Sequence, residues 1–132
     1  MAEMGPILNT LVLTAAEDLS AKRYHVVVQS GTKFSPADIG QALAATNTNI
    51  VGVLITDPST GQNGTVVTYG KCKVTAGGAV SQGVLISTNA SGRVTAAGSG
   101  DISIGRAVEA AVSDGDVITA QIGPIVRWMG AV

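Results

Sequence analysis

The sequence predicts a mainly β protein: a small β-barrel or sandwich with one short helix and an extended N-terminal arm. Three observations predict it. Short Val-, Ile- and Thr-rich runs recur at a spacing of about ten residues, the pattern of many short strands. Glycine supplies 17 of the 132 residues and gathers between those runs; residues 74–98 alone hold Gly77, Gly78, Gly83, Gly92 and Gly98. Only residues 35–46 combine helical periodicity with a helix start. The length is that of one domain, divided here into an arm over 1–16 and a β-rich domain over 17–132.

The elements follow in chain order. "GPILNTLVLTAA" (5–16) opens on a Gly-Pro breaker and is too apolar for a free tail. It reads either as a first strand or as an arm that adds to a neighbouring subunit through backbone hydrogen bonds. "YHVVVQSG" (24–31) is a β-branched strand closed by Ser30-Gly31. In "SPADIGQALAAT" (35–46) Ser35 caps, Pro36 takes the first helical position, and Asp38 approximates a capping box. Ile39, Ala42 and Leu43 then share one helix face. "NIVGVLIT" (49–56) is a strand apolar enough to be buried on both faces. "DPSTGQNG" (57–64) is turn chemistry, with Asn63-Gly64 as its strongest hairpin signal.

From there the chain reads as strand, turn, strand. In "TVVTYGKCKV" (65–74) Lys71 and Lys73 point outward, Cys72 and Val74 inward. "GVLIST" (83–88) and "RVTAA" (93–97) flank the turn "NASG" (89–92). "DISIGRAVEAAV" (101–112) and "DVITAQI" (116–122) flank "SDG" (113–115). The piece "GRAVEAAV" has helix propensity, but the Ile102–Ile104 alternation before it and the Asp-Gly turn after it favour a strand. "PIVRWMGAV" (124–132) carries the only Trp.

Composition then limits function. Aromatics are 3% of the chain and charged residues 13%, with a net charge of −1. Nucleic-acid binding rests on clusters of Lys and Arg, and the richest here are the pairs Lys22-Arg23 and Lys71-Lys73, so no nucleic-acid partner is expected. The single Cys72 cannot form an intrachain disulfide. No Lys or Arg precedes residue 22 and Glu3 interrupts the start, unlike a secretory signal; no apolar run approaches the ~18 residues of a span. The expectation is a protein made in the cytoplasm with no membrane partner.

Catalytic motifs are missing. A Ser-His-Asp or Cys-His arrangement would have to use His25, the only histidine, which lies in a strand pattern and reads as structural. "GAVSQG" has the wrong spacing around Ser81 for a nucleophile elbow. A zinc site would need both Cys72 and His25 plus two carboxylates. "GTVVTYGKC" has one residue too many for a Walker loop, and "GSGDISIG" lacks the third glycine of a dinucleotide fingerprint. Asp114 and Asp116 with Glu109 offer too few oxygens for a calcium loop. Lys71 lacks the neighbours of a carrier lysine. No catalytic, cofactor or metal residue is assigned, and the chain is not expected to be an enzyme.

Three segments together resemble a known family: "EDLSAKRYHVVV", "VGVLITDPSTGQNGTVVTYGKCKVTAGGAVSQGVLISTNASGRV" and "SIGRAVEAAVSDGDVITAQI". Their order and spacing, over residues 17–122, are similar to the small capsid decoration, or head cement, proteins of tailed bacteriophages. The resemblance implies a β-rich, often trimeric virion protein on the outside of an expanded icosahedral shell, reinforcing it against packaged DNA. Its partners would be its own copies and the major capsid protein. On that footing Ile7, Leu8, Leu11 and Leu13 are the expected capsid contacts, and Trp128 with Met129 the expected subunit seam. A tail-tube or baseplate module, or a shell-displayed host- or ligand-binding module, are the alternatives.

Overall fold

The structure is a computed structural model and describes residues 9–15, 18–30, 33–36, 50–89, 92–98 and 102–127. Nine strands account for most of them: β1 (Asn9–Thr14), β2 (Val26–Ser30), β3 (Lys33–Pro36), β4 (Ile50–Leu54), β5 (Asn63–Thr75), β6 (Leu85–Thr88), β7 (Val94–Ala96), β8 (Ile102–Ala107) and β9 (Val117–Arg127). They join in the order β3-β2-β4-β5-β9-β8-β6-β7, with β1 also paired to β5, and every strand pair is antiparallel. The mainly β, barrel-like architecture expected from the sequence is present.

The long strand β5 organises the molecule. Its first half lies between β1 and β4, and its second half pairs with β9. Beyond β9 the sheet curls through β8 and β6 to β7. There Val94 meets Ala76 in a parallel bridge, and the Gly77 N–H donates to Val94 O at 2.7 Å. The end of β5 thus nearly closes a five-stranded ring with the strand farthest along the path. Closure matters because an exposed sheet edge is a template for unwanted pairing.

Two cores result. The larger fills the barrel with Val74, Ile86, Val94, Ile104, Ile118, Ala120 and Ile122, and continues to Val26, Val53 and Val67. A smaller one joins Val27, Leu54 and Val66 to Ala15 and Leu19. Successive residues of β2, β4 and β5 therefore serve opposite cores: Val26 and Val27, Val53 and Leu54, Val67 and Val66. This is the two-sided burial that "NIVGVLIT" predicts. The segment after β1 clasps the second face, where Leu19 N–H donates to Pro58 O and Ala15 N–H to Gln62 O, both at 2.9 Å.

Two sequence expectations need correction. Asn63-Gly64 is not the turn; both residues begin β5 and pair with Thr14 and Leu13. The reversal falls earlier, where Gln62 N–H donates to Ser59 O and the Gln62 side chain accepts from Ser59 N–H. Gly64 is instead crowded, since a Cβ there would lie 2.8 Å from Pro58 Cγ. Ser35 and Pro36, expected to start the helix, end strand β3, with Pro36 opposite Gln29. Residues 37–46, the rest of that expected helix, lie outside the described residues.

Other readings hold wholly or in part. "GRAVEAAV" is strand only to Ala107 and then bends without a helical turn, so the strand expected to reach residue 112 stops five residues short. The hairpins at "NASG" and "SDG" are present: Gly92 N–H donates to Asn89 O, and Asp116 N–H to Ser113 O. Strand β9 runs on through Pro124 to Arg127, past the expected end at Ile122, because β8 continues to pair with it at Ser103 and Ile102.

Candidate functional site

The described residues offer no cluster of three or more His, Cys, Asp or Glu side chains able to hold a metal ion. The outer face of β5, β9 and β8 is the candidate site. That face originates in a register change. Asn9 is opposite Tyr69 but Thr10 is opposite Val67, so Thr68 is an extra residue in β5, and its Oγ donates to Asn9 O at 3.2 Å. A one-residue bulge reverses which side chains face the core. Before it Val67 is inward; after it Val74 is inward and Tyr69, Lys71 and Lys73 are exposed. The outward placement of both lysines agrees with the alternation of the sequence.

Registers place their neighbours. Lys71 is opposite Gln121 on β9, and Gln121 is opposite Arg106 on β8, so the three side chains form one row across the sheet. Lys73 is opposite Thr119. Arg106 is held by donating from Nη1 to Gly83 O at 2.6 Å. At one end of the face the Tyr69 ring, 45% exposed, rests on Gly123, where a Cβ would come within 2.7 Å of Cδ2. At the other end Val117 is 49% exposed. Glu109 is the nearby carboxylate: its Oε1 accepts from Thr119 N–H at 2.7 Å, and hydrogen bonding to Thr119, helped by the charge of Lys73, lowers its pKa.

The expected contact residues distribute unevenly. Leu11 and Leu13 lie on β1, opposite Val66 and Gly64 of the chain's own β5. Leu11 is 40% exposed and its neighbour Val12 65%. Ile7, Leu8, Trp128 and Met129 lie outside the described residues. Strand β1 begins beside Tyr69, so the N-terminal strand adjoins the β5–β9–β8 face. Sequence reasoning named Lys71 and Lys73 without assigning them a role and missed Arg106 and Tyr69. The cue available was strand parity, but bringing Arg106 to Lys71 required the strand order.

His25, the candidate base considered and set aside, is buried and structural. Its Nδ1 lies 3.0 Å from Arg23 O, which makes Nδ1 the protonated nitrogen, and Nε2 accepts from Arg93 Nε at 3.5 Å. Arg93 in turn donates to Asp114 Oδ1 at 2.7 Å. Burial, with Lys22 and Arg93 adding repulsion, lowers the His25 pKa and keeps the ring neutral. The chain Asp114–Arg93–His25 ties the β8–β9 turn to the start of β7 and the entry to β2. Cys72 is half-buried, and burial pushes its thiol up to about 11, away from nucleophilic use.

No individually curated protein matches the sequence. In structure, the chain is similar to the N base of the head fiber protein gp8.5 of bacteriophage phi29, with a TM-score of 0.55 and 16% identity, over 91% of this chain and 98% of that one. That likeness is one of fold. The family model described as phage cement protein matches residues 7–122, which include β1, the bulged β5 and β9 as far as Ile122. The chain belongs to the phage cement protein family.

Proposed function

We propose that the protein binds the outer surface of an expanded icosahedral capsid as an oligomer, a trimer, and stiffens the shell against packaged DNA. The observation that carries this reading is the family match over residues 7–122. The barrel supports it physically, since a cement must transmit load without deforming, and nearly closed antiparallel ladders resist opening. A cyclic trimer over a local threefold point would present three equal faces to neighbouring capsomers. Once one face docks, the others bind at high effective concentration, so weak contacts sum to a tight clamp. Ile7, Leu8, Leu11 and Leu13 are assigned to the shell, with the major capsid protein as partner, and Trp128 and Met129 to the subunit seam.

Light scattering should return three times the 13.2 kDa chain mass. Empty expanded shells should disrupt at a higher temperature once the protein is added; an unchanged disruption temperature would remove the reinforcing role. Deleting residues 1–8, which precede β1, should weaken shell binding and leave the strand pairing of β1 with β5 in place, whereas undiminished binding would refute the arm assignment. The fold likeness to a head fiber base favours one second reading, a shell-bound base that displays a binding function outward. That reading predicts decorated shells of unchanged strength that adsorb to host cells better than bare ones.

A further inference from the structure

The outer β5–β9–β8 face concentrates positive charge in a chain that has little of it. Of eight Lys and Arg residues, Lys71, Lys73 and Arg106 are exposed on this one face. Adjacent strands lie about 4.8 Å apart, which sets Lys71 and Arg106 roughly 10 Å apart across Gln121. The Debye length at physiological salt is about 8 Å, so Arg106 is largely screened from Lys71, whereas Lys73, two residues along the strand at about 7 Å, is screened less. Two cations elsewhere are paired: Arg23 with Asp57 at 3.4 Å and Arg93 with Asp114 at 2.7 Å. Among the described residues neither Lys71, Lys73 nor Arg106 forms a salt bridge; the Glu109 carboxylate, which accepts from Thr119 N–H, feels the charge of Lys73 and offsets part of it.

The chemistry of the face narrows its occupant. Three cations are few for tracking a phosphate backbone, whose affinity grows with each neutralised charge. Tyr69 and Arg106 are of the residue types that dominate protein interfaces, and Tyr69 is braced on Gly123 while Arg106 is fixed by Gly83 O. From the charge and the anchored side chains we infer that this face docks onto an acidic protein surface, on the outside of the capsid shell. The inference rests on the cement reading and adds to it a second contact surface, continuous with β1 at the Asn9–Tyr69 pair. The arm would supply apolar grip, and the basic face orientation and encounter rate.

The test compares the full-length protein with K71E/K73E and K71Q/K73Q in co-sedimentation with empty expanded shells. Measurements at ionic strengths of about 0.01 and 0.15 M bracket strong and physiological screening. Both lysines are exposed, and far-UV circular dichroism with urea midpoints checks that the variants fold. The expected result at low salt is at least about a tenfold loss of affinity for K71E/K73E, a smaller loss for K71Q/K73Q, and a gap that narrows at 0.15 M. Equal binding by all three proteins at both salts would overturn the acidic-face assignment and leave the cement reading standing. Failure of the wild-type chain to bind shells at either salt would remove the cement reading and this face with it. Wild-type binding to duplex DNA that K71E/K73E abolishes, with shell binding unchanged, would reassign the face to nucleic acid and overturn the inference.

Discussion

At Gly105 a Cβ would sit 1.9 Å from Gln121 O, on a backbone with φ of +154°. Nothing on β9 can yield there without losing ladder bonds, so Gly105→Ala should cost more than about 2 kcal/mol, read as a lower urea midpoint. His25 governs a different axis. Its folded pKa lies below the ordinary 6.5, so the unfolded chain binds the proton more tightly. The stability it contributes is complete above pH 6.5 and is lost as pH falls through the folded pKa. Asp18, Asp116 and Glu109 also have lowered pKa values, through hydrogen bonds to Ser20, to Val112 and Ser113, and to Thr119, but their losses begin only near pH 4. Urea midpoints between pH 7.5 and 5 should therefore fall for the wild type and stay flatter for His25→Gln; parallel profiles would contradict the neutral, buried ring. Cys72, with its thiol pushed up to about 11, should alkylate in the native protein at least about a hundredfold more slowly than after unfolding.

Among the elements, the clasp over β4 and β5 is the join that sequence patterning announces least. Leu19 is fully buried against Leu54, Val66 and Val27, although it lies in an irregular segment between polar neighbours. Leu19→Ala should cost about 2–5 kcal/mol and speed hydrogen exchange first in β1 and the start of β5; uniform acceleration would show that the two cores unfold as one. The hairpins β6–β7 and β8–β9 could be read from the sequence because turn and strand signals there are local, as in "NASG" and "SDG". The same holds for the parity of Lys71 and Lys73. Asn63-Gly64 misled for a physical reason: its turn preference is real, but Ser59–Gln62 reverses the chain first and Gly64 is needed where Pro58 and Leu54 crowd it. The bulge at Thr68 has no sequence mark, because any residue can be the extra one and only its partner Asn9 reveals it. Nor could the Arg93–His25 contact be foreseen, with the two residues 68 apart in the chain.

For the whole molecule, the ring of strands is nearly closed at Ala76 and Val94, and the contacts proposed for it are the outer sheet face and the N-terminal strand. A core built from Val, Ile and Ala and only 3% aromatics yields modest stabilisation per residue, about 25 cal/mol per Å² of apolar area. Burying more surface against copies and shell would then raise the apparent stability by mass action. Thermal melting of the isolated protein should accordingly shift upward with protein concentration; a concentration-independent midpoint would speak against self-association. The central claim, that this chain is a capsid cement, is tested most directly by mixing it with empty expanded shells and pelleting them. The account predicts saturable co-sedimentation at a fixed number of copies per shell. Protein that remains wholly in the supernatant while the shells pellet bare would contradict it.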